Sequence, residues 1–371
     1  MAPIQPLFFA PNRVWRCYTG GALLDESVGN VPSEDAHFPE DWLASCVQAV
    51  NGEHSQGPEE GLSRLRTGDG GPGPLFRDVV AADPAGFLGG EAEMTLLCKY
   101  LDSAVRLPIQ CHPDRDFARA HYGSGHGKAE SWIILGTRAI NGVEPYLLMG
   151  FKPGISEAAF ARAVREQDIP AMEAMLHRVP VRPGDVYFIP GRFPHAIGPG
   201  VFLLEVQEPS DWVVQPERYC AEQCLTDADM WGPLDPATAL SCFRYEGEPV
   251  EQVETRLKKK PVALETGDGG SLSRVIGPES TTCFGVDHLR VTGRYRLEHP
   301  APYFVVVVTQ GAGTIAWSGG ETRVRPGDVF FVPFGVRWIE FMAEAGSLAA
   351  YLCLPASDPA TDRPEGTGDQ P

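Results

Sequence analysis

The chain has 371 residues, 43% of them hydrophobic, and carries 31 basic against 49 acidic side chains, a formal net charge of −18. That length suits two compact domains, and the acidic balance excludes the basic face that nucleic acid or an anionic membrane surface requires. A phosphorylated small molecule stays allowed, because one or two local Lys or Arg can hold a phosphate inside an acidic protein.

The opening stretch, MAPIQPLFFAPNRVW, has neither a basic n-region nor a long apolar h-region and is not read as a signal peptide. No apolar run reaches membrane-spanning length. The nine Cys are scattered, with Cys220 and Cys224 the closest pair and no second pair to complete a zinc ribbon, so they read as reduced thiols of a cytoplasmic protein. The 41 Gly and 34 Pro, set between many short apolar runs, predict a turn-rich β protein. Residues 45–75 are Gly-, Ser- and Glu-rich and predict loop. A first β unit surrounds 92–215. A helix is inserted into it at about 156–178, where apolar residues recur at helical spacing and Pro170 divides the pattern. A second β unit covers 300–355, and the polar, Pro-rich end predicts a disordered tail over 358–371.

An internal repeat links the two units. Residues 181–195 read VRPGDVYFIPGRFPH and residues 324–338 read VRPGDVFFVPFGVRW. A match of this length in register points to two copies of one structural unit. Pro-Gly-Asp predicts a tight turn, the β-branched and aromatic run after it a buried strand, and the next proline the end of that strand. The segment resembles the second motif of the cupin jelly roll, G-x5-P-x-G-x2-H. The first copy keeps the histidine, His195, with Arg192 in place of the glycine. The second keeps the glycine, Gly335, with Trp338 in place of the histidine. The fold expected is therefore all-β: two cupin (jelly-roll) β-barrels with a small helical insertion. The domain division expected is 1–255 (metal-binding) and 256–357 (metal-free).

The stretch LPIQCHPDRDFARAHYGSGHGKAESWIIL carries the chemistry. On an extended segment Gln110 and His112 share one face, about 7 Å apart. Glu130 opens the next apolar run and His195 follows a third strand. One amide oxygen, one carboxylate and two imidazoles make a mixed N/O metal site, suited to one zinc ion per chain or to another divalent metal.

At these motifs the chain resembles the class I mannose-6-phosphate isomerases, in their short bacterial form. The matching stretches are LLCKYLDSAVRLPIQCHPDRDFA, GHGKAESW and VPVRPGDVYFIPGRFPHAIGPGVFLLEVQEPSD, with weaker matches at VWRC and EDWLAS. The resemblance implies that Gln110, His112, Glu130 and His195 are the metal ligands, that Lys128 is an active-site lysine, that Asp211 is the acid of the Ser-Asp motif, and that Trp42 lies near the pocket. The chain departs from the family where an arginine four residues after this Asp is usual: Gln215 stands there, and Arg218 comes three residues later. The Arg-Cys after Trp15 replaces a usual Gly pair.

The expected activity is aldose–ketose isomerisation, with mannose 6-phosphate and fructose 6-phosphate or a related sugar as the small-molecule partner. The metal would stabilise an enediolate, and a base would move the proton between C1 and C2. Lys128, His126 and Asp211 are the candidates for that base, and Arg218 for a substrate contact. The alternatives are a non-catalytic carbohydrate-binding cupin and a cupin oxygenase. The oxygenase is disfavoured because Gln110 stands where redox-iron cupins usually place histidine.

Overall fold

The repeated Val-Arg-Pro-Gly-Asp folds identically in both places. In the first copy Asp185 N–H donates to Arg182 O at 3.0 Å, and in the second Asp328 N–H donates to Arg325 O at 3.0 Å. The intervening Gly184 and Gly327 have φ of 92° and 88°. Proline before a residue of positive φ is the signature of a type II turn, and glycine occupies that position without steric cost. Each aspartate also accepts the N–H of its own arginine, at 3.1 and 2.9 Å. Both turns launch fully buried four-residue strands, Val186–Ile189 and Val329–Val332.

The structure, a computed structural model, describes residues 4–29 and 32–356; the predicted tail at 358–371 lies outside them. The chain is mostly antiparallel β-sheet. In the first half a six-stranded sheet runs in the order Val186–Ile189, Glu130–Thr137, Val201–Gln207, Leu97–Ser103, Glu40–Leu43 and Arg13–Val14. A three-stranded sheet of His195–Ile197, Tyr146–Phe151 and Leu176–Pro180 packs against it. Trp132, Ile134 and Leu203 from the first sheet and Leu147, Met149 and Val179 from the second meet in one buried cluster. The second half repeats this plan with seven- and four-stranded sheets, joined by a cluster that includes Val306, Phe330, Ile315 and Phe341.

The outer faces of the two large sheets are apolar as well, and bury each other. Ile133, Leu204 and Val206 of the first half lie in one cluster with Val305, Val307 and Phe331 of the second. The chain also crosses between halves at its start, where Leu7–Phe8 pairs antiparallel with Phe330–Phe331.

The predicted helix at 156–178 is shorter and split. Helices Glu157–Glu166 and Ile169–Ala174 are followed by strand Leu176–Pro180. Pro170 sits in the first turn of the second helix, where its missing N–H is harmless, and β-pairing with Tyr146–Phe151 takes over from residue 176. Helix is also more widespread than one insertion: short helices include Ala22–Val28, Phe76–Ala82, Arg115–His121 and Val250–Leu257, the last spanning the expected division at 255. The stretch 45–75 is not all loop. It contains a hairpin of Arg64–Arg66 with Pro72–Leu75.

Arg192 explains why the repeat motif favours glycine there: its φ is 68°, in the left-handed region. The side chain offsets that strain by donating to Cys242 O at 3.1 Å and Ser241 O at 2.9 Å. Replacing Arg192 with Ala should therefore cost more stability than replacing it with Gly, by about 1 kcal/mol, because only Ala keeps the strained φ without the contacts. Urea unfolding of the two variants measures this directly. Equal stability would contradict the account.

Candidate metal centre

Backbone pairing brings the predicted ligands together. Gln110 N–H donates to His195 O at 2.8 Å and His195 N–H to Gln110 O at 3.0 Å. Residues exchanging both bonds in an antiparallel pair point their side chains to the same face. Cys111 exchanges the same two bonds with Val214, at 2.9 Å each, and is buried away from that face. His112 O then accepts Arg192 N–H at 2.6 Å and Pro113 O accepts Lys128 N–H at 2.9 Å, so the loops carrying His112, Lys128 and His195 are tied to one another. Glu130 begins its strand between Ile189 and Gln207.

Both imidazoles are held in one tautomer. His112 Nδ1–H donates to Trp212 O at 2.8 Å, and His195 Nδ1–H to Phe193 O at 2.8 Å. That leaves the Nε2 lone pairs as the donor atoms. His112 Nε2 lies 3.1 Å from Glu130 Oε1 and His195 Nε2 lies 3.8 Å from Glu130 Oε2. One ligand atom from each of the three residues lies within 4.8 Å of the others. Both carboxylate oxygens of Glu130 and the Nε2 of His195 are buried without an aligned hydrogen bond. Converging, unsatisfied buried acceptors are costly unless a cation fills the space between them, so this donor set fits a divalent metal. Gln110 lines the same cavity as Glu130. Lys128 Nζ stands 3.1 Å from Glu130 Oε1 and 3.3 Å from His112 Nε2.

Burial is the main force on the histidines and holds both neutral. It lowers His112, and it takes His195 down to about 3 with the help of neighbouring His112. Burial also works against the Glu130 carboxylate, but His112 and Lys128 outweigh it and hold the group well below its usual range. These shifts have one sign for stability. A histidine whose folded pKa is depressed contributes stability present above about 6.5 and lost as pH falls toward the folded value. In the chelated protein the His195 imidazole should therefore cost about 1.4 kcal/mol per pH unit below pH 6.5, a loss partly offset by Glu205, whose raised carboxyl contributes with the opposite sign over the same window. His195→Asn should flatten that slope, read as urea midpoints between pH 6.5 and 5. A pH dependence that is the same in the variant and the unsubstituted protein would contradict a neutral, buried His195.

A row of charges extends from the ligands across the inner face of the six-stranded sheet. Trp132, Glu205, Lys99 and Trp42 are successive cross-strand partners. Lys99 Nζ lies 3.2 Å from Glu205 and 3.8 Å from Glu40, and sits over the Trp42 ring at 4.7 Å. Burial and the Glu130 charge push Glu205 up to about 7. Burial also opposes the Glu40 carboxylate, yet Arg16, Lys99 and hydrogen bonds from Tyr18 and Trp42 bring it to about 2. Arg16 bridges Glu40 and Asp211, 3.1 Å from each.

Arg16, Tyr18, Glu40, Lys99, Glu205 and Asp211 line a cavity of about 380 Å³ that opens beside Glu130. Among the sequence candidates, Gln110, Lys128, Glu130 and Asp211 line it directly. Trp42 is buried beneath Lys99 and Arg16. His126 turns away to Glu93, at 2.9 Å, and Arg218 turns away to Asp227 and Leu225 O, at 2.5 and 3.0 Å; neither lines the cavity. Gln215 does line it, with its Nε2 donating to Asp229 O at 3.0 Å. Sequence reasoning missed Arg16, Glu40, Lys99 and Glu205. For Lys99 and Glu205 the signal was a lone charge inside the apolar runs LLCKYL and VFLLEVQ, since a charge at an inward strand position needs a buried partner.

No family model matches the chain. Among curated proteins it is 26% identical over 346 residues to the probable mannose-6-phosphate isomerase GmuF of Bacillus subtilis, covering 92% of this chain and 98% of that one. It is 25% identical over 349 residues to the mannose-6-phosphate isomerase of Streptococcus mutans, covering 94% and 98%. The crystal structure of the mannose 6-phosphate isomerase from Bacillus subtilis superposes with a TM-score of 0.70 at 20% identity, over 94% of this chain and 99% of that one, so the two share a fold. With curated relatives aligned nearly from end to end and a shared fold beneath them, the chain is similar over almost its whole length to mannose-6-phosphate isomerases.

Proposed function

We propose that the chain is a metal-dependent aldose–ketose isomerase, interconverting mannose 6-phosphate and fructose 6-phosphate or a related sugar. Its metal is zinc, held by Gln110, His112, Glu130 and His195 in the first of two jelly-roll (cupin) halves, 1–255 and 256–357. The observation that carries this reading is the buried His112–Glu130–His195 cluster, with unsatisfied donor atoms converging at the edge of a sugar-sized cavity.

A divalent ion bound there supplies Lewis-acid stabilisation of the negative charge that builds on the sugar oxygens. The protein's side chains do the rest. Lys128, buried beside Glu130 and facing the cavity, holds charge on a substrate oxygen by hydrogen bonding. Glu205 lines the cavity 3.2 Å from Lys99, where a buried carboxylate can take a proton from the substrate and return it. Asp211, also on the wall, is fixed by Arg16 and by the Val50 N–H at 3.0 Å, which suits it to orient a hydroxyl.

The test is ketose formation from mannose 6-phosphate and from a panel of free aldoses, using zinc-loaded protein. Chelation should abolish turnover and zinc should restore it. Turnover that survives complete metal removal would contradict the proposal.

A further inference from the structure

The cavity's charges bear on which sugar it accepts. Among the described residues three permanent cations line it, Arg16, Lys99 and Lys128, and each already faces a carboxylate. Lys128 lies 3.1 Å from Glu130 and Lys99 3.2 Å from Glu205. Arg16 is the most committed. Its Nε faces Glu40 at 3.1 Å, its Nη2 faces Asp211 at 3.1 Å, and its Nη1 donates to Asn51 Oδ1 at 3.0 Å. Against these cations stand six lining carboxylates: Glu40, Glu53, Glu130, Glu205, Asp211 and Asp229. Even a divalent ion at the ligand cluster leaves no positive excess on the wall. A phosphate monoester carries close to two negative charges at neutral pH. Desolvating it here would strand that charge without a free cation.

The wall is instead equipped for uncharged hydroxyls. Asn51 Nδ2 and Tyr122 Oη are buried without hydrogen-bond partners, and both residues line the cavity. Flat aromatic surface flanks them. Trp15 stacks on His54 at 4.2 Å, and Tyr122 stacks on Trp212 at 4.5 Å. Unpartnered neutral polar groups beside aromatic faces match a polyol, whose hydroxyls donate and accept while its C–H faces pack on rings. Gln215, also neutral, occupies the same wall.

We infer that the end of the substrate remote from the metal is an uncharged hydroxyl, so that this chain acts on a free aldose and not on its 6-phosphate. The inference rests on the isomerase reading for its chemistry, but the cavity wall that carries it is independent of turnover.

Zinc-loaded full-length protein should be compared on mannose and other free aldoses and on their 6-phosphates, by kcat/KM and by titration calorimetry. The expected result is a preference of at least ~100-fold in kcat/KM for the free sugar. Asp211→Asn, which releases one arm of Arg16, should narrow that preference by about 10-fold toward the phosphorylated sugar. Equal or better turnover of a 6-phosphate would overturn the inference and leave the isomerase reading intact, as would a preference unmoved by Asp211→Asn. If no sugar is turned over, calorimetry decides. Binding of a free aldose but not its 6-phosphate supports the inference and removes only the isomerase reading. Binding of the 6-phosphate, or of neither, overturns it.

Discussion

Glu130→Gln should release the bound metal and lower turnover by at least ~1,000-fold, while the protein stays folded. Glu130 supplies the one negative charge among the predicted ligands, since both imidazoles are held neutral and Gln110 is an amide. An amide of the same size keeps the shape and removes the charge that attracts a divalent ion. Two effects on the metal-free fold oppose each other: Lys128 loses a carboxylate at 3.1 Å, and Glu205 loses the neighbouring negative charge that raises its pKa. Metal analysis beside circular dichroism separates metal loss from unfolding. A variant that keeps its metal and its activity would move the site elsewhere.

Phe331→Ala should destabilise the whole chain by about 3–5 kcal/mol, the range for deleting a buried aromatic ring. Phe331 is fully buried, lies 5.0 Å edge-on from Phe76 and 5.6 Å from Tyr303, and its backbone pairs with Leu7. It belongs to the cluster in which the two large sheets bury each other, so its loss leaves a cavity between halves and not within one. Val262→Ala, at a strand residue 64% exposed, should stay within about 0.5 kcal/mol. Urea unfolding of both variants measures the contrast. A loss under about 1 kcal/mol at Phe331 would mean that the interface collapses around the gap, or that the halves do not depend on each other.

The parts of this architecture that were legible in sequence are those that local geometry governs. Period-two alternation placed Gln110 and His112 on one face, and backbone pairing sets Gln110 opposite His195. The repeated Pro-Gly-Asp implied a tight turn twice, and both turns form with the glycine at positive φ. What sequence did not give depends on contacts across long separations. Leu7–Phe8 is a two-residue strand whose partner lies over 320 residues away, too short to carry any period. The charge row through Lys99, Glu205 and Glu40 joins three strands, and each residue alone reads as an ordinary charge on a sheet. Helices such as Phe76–Ala82 and Arg115–His121 have seven residues each, about two turns, below the length at which a 3.6-residue pattern stands out. His126 and Arg218 lie near the site in sequence, yet their side chains follow Glu93 and Asp227 away from it.

The account stands most directly on proton exchange at the sugar. Zinc-loaded protein would be incubated in D₂O with mannose, a panel of other free aldoses and mannose 6-phosphate, and followed by NMR. An isomerase that moves a proton between C1 and C2 through solvent-exchanging groups should place deuterium at one of those carbons on at least one sugar, and chelation should stop it. Absence of exchange and of ketose formation on every sugar, from protein verified to hold its metal, would contradict the isomerase and leave a metal-bearing sugar-binding protein in its place.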